Sequence, residues 1–416
     1  MQDAILDGTD ARGETDRYRA KRDVIVAAAS EVMNEQSAKG LTFADVARRV
    51  GLNTTSITYY FKRKDDLASA CFDRTLDRFE EMLDAAMALP TAPERVDHFL
   101  GAHFDRLALQ AQGLEGELAG LSDLRAMDEP TRGRLMTRWR QVFRKTRDLF
   151  GQGENRALKD LQSARAHVLL ENILWLNAWI RRYEIDQYGR VRERLMQVLR
   201  HGIAVPGAKW EPEIWPVGDA ACTNEPSRTS FLLAATRLIN ELGYRGASVQ
   251  RIASELNVTK GSFYHHLDAK DDLVIECFKR SFETISETQR HADASGGDEW
   301  HRISSTVATL LDFQFSERGP LLRTSALAAL PPRVRYQMIE RSNGIARRFA
   351  GMLSDGITEG SIRPLDPLIA AQAIMASQNA AFDLRKWAGS MAPETAIRLY
   401  ASTICYGLFD DDAATA

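Results

Sequence analysis

The sequence has few cysteines, and none of them belongs to a paired motif. Cys71, Cys222, Cys277 and Cys405 are the only four among 416 residues, and no CxxC occurs. Isolated cysteines exclude a disulfide framework of the secreted type and the usual spacing of zinc ligands. The eight histidines show no ligand spacing either. We therefore expect no metal, no cofactor and a reducing, cytoplasmic environment.

Long apolar runs and a strong net charge are also missing. The stretch VLLENILWLNAWI is interrupted by Glu171 and Asn172, well short of the roughly 20 residues that a membrane span needs. The polar N-terminal stretch lacks the apolar core of a signal peptide. A net charge of -3 and a pI near 6.3 exclude binding to nucleic acid or membranes through overall charge. Any such binding has to come from a local patch.

Catalytic fingerprints are absent as well. The sequence contains no GxSxG, P-loop, dinucleotide-binding or HExxH motif, so we expect that it is not an enzyme. What it does contain is helical periodicity throughout, with no alternating strand pattern. The predicted fold class is all-α, and the length implies several domains.

One segment of the chain occurs twice. The stretch LTFADVARRVGLNTTSITYYFKRKDDLASACFDR, from Leu41, aligns without a gap to ASVQRIASELNVTKGSFYHHLDAKDDLVIECFKR, from Ala247. Upstream, VIVAAASEVM from Val24 matches FLLAATRLIN from Phe231 if the next loop differs by one residue. Apolar positions persist where identity is lost, so each copy has the same core. The chain carries two tandem helical units.

Each copy contains two short helices joined by a tight turn. Thr42 or Ser248 is positioned to cap the first helix, and Gly51 or Asn257 supplies the positive φ of the turn. Asn53 in copy one, or Thr259 in copy two, caps the second helix. That helix, TTSITYY or KGSFYHH, turns one apolar residue inward and small, hydroxylic, aromatic or basic residues outward. This composition suits a helix that lies in the major groove of DNA.

Positive charge is concentrated in the two copies. Residues 17–64 carry about +6 and residues 228–270 about +3, which leaves about -12 for the remainder. The basic residues Arg17, Arg19, Lys21 and Arg22 precede copy one and predict an arm that reaches into a minor groove.

Both copies resemble the N-terminal DNA-binding domain of the tetracycline-repressor (TetR/AcrR) family, copy two more closely. Ile252, Ala253 and Val258 match that pattern. Copy one departs at Thr54, Thr55 and Thr58, where the family usually shows Lys, Gly and Tyr. The resemblance implies phosphate contacts by Thr42, Thr58, Tyr60, Lys64, Ser248, Tyr264, His266 and Lys270. It implies base contacts by Thr54, Thr55, Ser56, Tyr59, Lys260, Gly261, Ser262 and His265.

The resemblance also implies that the last two helices of each half build a four-helix dimer interface, with a small-molecule pocket among the preceding helices. We predict these terminal helices at 164–183, 190–203, 367–387 and 393–409. Because one chain supplies both pairs, they form either an intramolecular pseudo-dimer or a homodimer of two chains. Candidate pocket residues, for which ordinary core packing is the alternative, are Trp139, Phe143, Glu171, Trp175, Phe313, Phe349 and Phe382.

These observations predict a sequence-specific regulator of transcription that binds double-stranded operator DNA. The resemblance to the TetR/AcrR family further implies that it is a repressor relieved by an unknown small-molecule effector. The alternative is a helical interaction protein that homodimerises and binds DNA only through its second copy. The predicted boundaries are a flexible tail (1–16), head 1 (17–75), a first effector and dimerisation region (76–204), a proline-rich semi-rigid linker (205–227), head 2 (228–281), a second such region (282–409) and an acidic tail (410–416).

Overall fold

The computed structural model describes residues 7–218, 227–261, 270–330 and 332–412, and the regular secondary structure of these residues is helical, with no strand. None of the described helices is both long and apolar enough to cross a membrane. The first half comprises α1 (Asp7–Gln36), α2 (Phe43–Val50), α3 (Thr54–Tyr60), α4 (Lys64–Met87), α5 (Ala92–Ala111), α6 (Thr131–Asp148), α7 (Arg156–Trp179) and α8 (Tyr188–His201). The second comprises α9 (Arg228–Gly246), α10 (Val249–Glu255), α11 (Lys270–Ala294), α12 (Glu299–Phe315), α13 (Pro332–Glu359), α14 (Pro367–Ala380), α15 (Arg385–Ala388) and α16 (Pro393–Cys405).

Head 1 is a small helical domain built around a closed apolar core. Ile25 from α1, Val46 from α2 and Ile57 from α3 are fully buried, which is the burial that their helical spacing predicts. The described part of the N-terminal segment differs from the prediction of a flexible tail and arm. Arg17, Arg19, Lys21 and Arg22 belong to α1, which begins at Asp7. They therefore project from a helix and not from an extended arm.

One contact that the two heads share has the same spacing along the chain in both, without the one-residue loop difference that the sequence predicts. The Cys71 thiol lies 3.5 Å from the carbonyl oxygen of Val26, and the Cys277 thiol lies 3.5 Å from that of Leu232. Both pairs are separated by the same 206 positions along the chain. The expected insertion is therefore wrong, because contacts on both sides of the loop keep one spacing.

The chain divides into two compact units, but not at the predicted linker. One unit holds Met1–Glu81 and Arg106–Arg140, and the other holds Met82–Asp105 and Gln141–Ala416. The terminal helices α7 and α8 of the first half thus fold together with the second half. Helix α7 packs against α14 and α16, and α8 packs against α14. All four terminal helices meet within one compact unit.

The ends of α8 and α16 bind each other reciprocally. The N–H groups of Ile203 and Ala204 donate to the carbonyl oxygen of Cys405 at 2.9 Å, and the N–H of Leu408 donates to that of Leu199 at 2.7 Å. These bonds satisfy carbonyl groups that a helix end otherwise leaves without partners. The observed α7 begins at Arg156, earlier than the predicted residue 164.

The first part of the linker is a strap, residues 205–218, that packs along the second half. The N–H of Glu213 donates to Ser305 Oγ at 2.9 Å, and the N–H of Trp215 donates to Thr309 Oγ1 at 3.1 Å. The Trp215 ring stacks on His291, with centroids 6.0 Å apart. This part of the predicted semi-rigid linker is thus bound to α12, whose hydroxyls satisfy two of its backbone N–H groups.

Candidate nucleic-acid interface

The helix-turn-helix of head 1 is fixed by the caps that its sequence predicts. Thr42 Oγ1 accepts from the N–H of Asp45 at 3.2 Å, and Asn53 Oδ1 accepts from the N–H of Ser56 at 2.7 Å. Gly51 lies between the helices at φ 66°, a conformation that favours glycine. These local bonds set where α3 begins and hence which of its residues face outward.

The outer face of α3 carries the predicted base-contacting residues of copy one. Thr54, Thr55 and Tyr59 are exposed, and Tyr59 is 67% exposed. Ser56 is half-buried, and its hydroxyl donates to Asn53 Oδ1 at 2.7 Å. Ser56 therefore completes the cap, whereas the other three present their side chains to solvent.

A cluster of tyrosines joins α1 to α3. Tyr18 lies 4.8 Å from Tyr60 and 6.1 Å from Tyr59, measured between ring centroids. No local sequence pattern marks Tyr18 as part of this surface, because α1 and α3 are separated in the chain and only folding brings their rings together. Aromatic contacts of this kind hold the rings in defined orientations, so Tyr18 orients part of the α3 surface.

The predicted phosphate-contacting residues of head 1 lie at the edge of this surface. Thr42 and Lys64 are exposed, whereas Thr58 and Tyr60 are half-buried. Lys64 Nζ donates to the carbonyl oxygen of Lys39 at 3.4 Å, and Thr58 Oγ1 donates to that of Thr55 at 2.8 Å. Both groups are therefore held in place by the head's own backbone.

In head 2 only part of the predicted interface can be placed. Ser248 Oγ accepts from the N–H of Arg251 at 3.2 Å and caps α10, and Asn257 supplies the turn at φ 55°. Lys260 and Gly261 are exposed and helical. The other predicted contacts, Ser262, Tyr264, His265 and His266, lie outside the described residues, as does the Lys270 side chain.

The candidate effector residues fall into two classes by burial. Trp139 and Phe143 are half-buried on α6. Phe313 and Phe349 are essentially inaccessible at 0% and 1%, and Phe382 is buried beneath the guanidinium of Arg385, 4.2 Å from its ring centroid. Full burial in close-packed surroundings is what core packing produces. These three phenylalanines are packed in the core, which was the alternative to a role in the pocket.

The remaining candidates, Glu171 and Trp175, lie where the two halves pack together. Trp175 Nε1 donates to Gln372 Oε1 at 2.9 Å. Glu171 is 8% exposed, and its Oε2 accepts from Arg323 Nη2 at 2.8 Å. Arg323 also bonds Asp383 through its other nitrogen. Glu171 is thus a buried ion-pair partner.

Within the described residues, His167, Glu171 and Asp383 have potential ligand atoms within 4.8 Å of one another. Three such side chains could in principle hold a metal ion. The Arg323 guanidinium already bonds both carboxylates, however. A cation would have to displace this arginine, which supplies the positive charge that the carboxylates require.

Comparison with known proteins agrees with this geometry. The family model described as "Bacterial regulatory proteins, tetR family" matches residues 25–71 and 231–277, one segment in each head. A curated relative, the HTH-type transcriptional repressor KstR2 of Rhodococcus jostii, is 26% identical over 196 residues, covering 46% of this chain and 96% of the relative.

Two further known proteins match a smaller or similar fraction of this chain. The HTH-type transcriptional regulator BetI of Klebsiella pneumoniae is 30% identical over 102 residues, covering 24% of this chain and 52% of that protein. The solved structure of the ketosteroid transcriptional regulator KstR2 of Mycobacterium tuberculosis covers 44% of this chain and 93% of its own, with 21% identity and a TM-score of 0.34. Each of these proteins corresponds to less than half of the chain.

Proposed function

Since the chain belongs to the tetR family of bacterial regulatory proteins and carries two of its units in tandem, we propose that it applies two non-identical heads to one operator as a single polypeptide. In this proposal the chain is a monomeric pseudo-dimer and a repressor that releases DNA when a small molecule binds. The observation that carries the proposal is the reciprocal packing of α8 and α16 within one chain.

This packing argues for a monomer because it uses the groups that a second chain would need. The carbonyl oxygens of Leu199 and Cys405 already accept from the other half of the same chain. Glycines follow both helices, Gly202 and Gly407, and each touches the backbone at the opposite helix end. A two-fold interface between identical chains would require the same surface twice. Here the two halves supply the two equivalent surfaces.

The heads present different side chains to DNA. In head 1 we propose that Thr54, Thr55 and Tyr59 contact bases, while Thr42, Thr58, Tyr60 and Lys64 contact phosphates. In head 2 the corresponding contacts would come from Lys260, Gly261, Ser262 and His265 for bases, and from Ser248, Tyr264, His266 and Lys270 for phosphates. Two heads that differ in their base-contacting residues favour an operator whose half-sites differ in sequence.

The proposal includes repression of transcription and its relief when an effector binds. The relative from Rhodococcus jostii is named a repressor, which supports this direction of regulation. Among the candidate effector residues, Trp139 and Phe143 keep exposed surface. Apolar surface that stays accessible on a helix can contribute to a ligand site. We therefore propose Trp139 and Phe143 as effector-binding residues in preference to the buried phenylalanines.

The decisive experiment combines solution mass with selection of bound sequences from random double-stranded DNA, using the full chain. A mass near 46.6 kDa, with selected sites whose two half-sites differ, supports the proposal. Twice that mass with palindromic sites would show that the chain acts as a homodimer. No enrichment of any sequence would exclude sequence-specific regulation altogether. Release of the selected duplex by the small-molecule fraction of a cell extract tests relief by an effector.

A further inference from the structure

An asparagine in the first helix of head 1 binds a distant backbone segment with both ends of its amide. Asn34 Nδ2 donates to the carbonyl oxygen of Leu118 at 2.9 Å. The N–H of Gly120 donates to Asn34 Oδ1, also at 2.9 Å. The two bonds are of ordinary length and together fix this segment to α1.

Head 2 repeats the arrangement 206 positions later. Asn240 Nδ2 donates to the carbonyl oxygen of Leu321 at 2.9 Å, and the N–H of Arg323 donates to Asn240 Oδ1 at 3.0 Å. The segment after α12 is thereby fixed to α9, the first helix of head 2. We call the two arrangements the Asn34 clamp and the Asn240 clamp. Each clamp thus ties a backbone segment to the first helix of its head.

The two clamps differ at the residue whose N–H bonds the asparagine oxygen, and this difference changes their reach. The residue whose N–H enters the Asn34 clamp is Gly120, which has no side chain. Its counterpart in the Asn240 clamp is Arg323, whose Nη2 donates to Glu171 Oε2 at 2.8 Å. Glu171 lies on α7, a helix of the first half, 152 positions away. Arg323 therefore connects α7 to the first helix of head 2 through its own side chain and backbone.

Charge and burial make this connection specific. Arg323 is paired with both Glu171 and Asp383, and the side chains of the two acids are 11% and 13% exposed. His167, on the same helix as Glu171, has its Nε2 3.9 Å from Glu171 Oε1, and its Nδ1 lies 3.0 Å from the hydroxyl of Tyr400. Burial raises the pKa of Tyr400 well above its ordinary value, so this phenol stays neutral. A charged hydrogen bond in such surroundings is strong and directional.

We propose that Arg323 is a positioning residue that couples α7 of the first half to head 2, so that a displacement of α7 changes the orientation of that head. The link is asymmetric, since Gly120 gives the Asn34 clamp no equivalent side chain. This inference rests on the proposed DNA-binding function for its consequence, a change in operator affinity. The coupling itself is a property of the fold and can be measured without DNA.

The test uses Glu171→Gln, which removes the charge at α7 and leaves Arg323 paired with Asp383. Asp383→Asn is the matched control, because it removes one charge from the same cluster but retains the Glu171 bond. Glu171→Met is the second variant. Its side chain has a similar volume, and the ion pair between Arg323 and Asp383 remains. Folding of all three is checked by circular dichroism and solution mass.

Operator binding is measured by footprinting on a duplex that the unaltered chain selects from random DNA. The half-site of head 2 is identified as the one that Lys260→Ala weakens. We expect Glu171→Gln and Glu171→Met to weaken binding at this half-site on the order of 5- to 10-fold, a usual size for coupling between sites. Their binding at the head 1 half-site should not change. Asp383→Asn should bind both half-sites as the unaltered chain does. An equal loss at both half-sites, an equal effect of Asp383→Asn, or no change overturns the inference.

Hydrogen exchange of the free chain separates this result from a failure of the proposed function. In Glu171→Gln, exchange at the Arg323 amide and along α9 should rise on the order of 10-fold, as expected for loss of a local constraint. Exchange at the Gly120 amide should not change. Unaltered exchange in α9 overturns the coupling even if the chain binds DNA. If the chain selects no DNA but shows this exchange pattern, the coupling is supported and only the proposed DNA-binding function fails.

Discussion

Gly407 lies against the backbone of Arg200 so closely that a Cβ on this glycine would overlap the Arg200 carbonyl oxygen. Its φ of 98° is also in the region that L side chains rarely adopt. Gly202 stands in the same relationship to Cys405 at the other helix end, with φ 64°. The close approach of α8 and α16 thus depends on one glycine from each half.

The first prediction concerns these two glycines. Gly407→Ala and Gly202→Ala should each lower the free energy of unfolding by more than about 2 kcal/mol, because strain and overlap act together. Gly189→Ala is the control: Gly189 lies in α8 with no neighbour within 4 Å of an added Cβ, so alanine should be neutral or stabilising there. Urea unfolding compares the three. Stability of Gly407→Ala equal to that of Gly189→Ala would contradict the prediction.

The second prediction concerns the Asn34 and Asn240 clamps. Asn34→Ala and Asn240→Ala should each reduce stability by roughly 1 to 3 kcal/mol, because each leaves a backbone donor and acceptor without their partners. Hydrogen exchange should rise at Gly120 in the first variant and at Arg323 in the second. Each variant serves as the control for the other. A rise at both sites in either variant would show that the clamps are not independent.

The third prediction concerns the electrostatic contribution of Lys64. If its ammonium contacts one phosphate, Lys64→Ala should reduce the slope of log affinity against log salt by about 0.9, while sequence preference stays the same. Thr55→Ala should do the reverse and relax preference at one base position. Arg190→Ala, an exposed charge on α8, is the control and should leave both quantities unchanged. Affinities at several salt concentrations decide between these outcomes.

The fourth prediction concerns the strap. Trp215 is 9% exposed and stacked on His291, so Trp215→Ala should cost about 3 to 5 kcal/mol, the usual range for removing a buried large aromatic side chain. The neighbouring Ile214 is 46% exposed, and Ile214→Ala should cost far less. Thermal unfolding of the two variants provides the comparison. Similar melting temperatures for both would show that the strap does not contribute to stability.

The fifth prediction concerns thiol reactivity. Burial raises the pKa of Cys71 and Cys277 to about 12 and raises that of Cys405 as well. Since only the thiolate reacts and it forms above the pKa, the reactive fraction of Cys71 and Cys277 at pH 8 is about one in 10⁴. Iodoacetamide should leave all three unlabelled in the native chain and label them after denaturation, as read by peptide mass spectrometry. Rapid native labelling of Cys71 would refute its burial.

Much of the architecture follows from local patterns. The all-α class, the two heads, the caps at Thr42, Asn53 and Ser248, and the turn at Gly51 could all be predicted, because each depends on residues within a few positions of one another. The tandem arrangement followed from self-similarity of the chain. For the same reason the exposure of Thr54, Thr55 and Tyr59 on α3 could be predicted, whereas the half-buried position of Ser56 could not.

Only the tertiary structure decided which distant residues meet. Glu171 and Arg323 lie 152 positions apart, and no periodicity relates them. The sequence therefore predicts Glu171 only as a candidate pocket residue with core packing as the alternative, and its ion pair with Arg323 follows from the fold alone. The strap's prolines indicate a semi-rigid linker, but no local pattern indicates that its backbone is bound by hydroxyls of α12. Local sequence determines helices and their faces, whereas long-range packing selects the partners of those faces. The division of this chain into two heads is therefore encoded locally, and the connection between its halves is not.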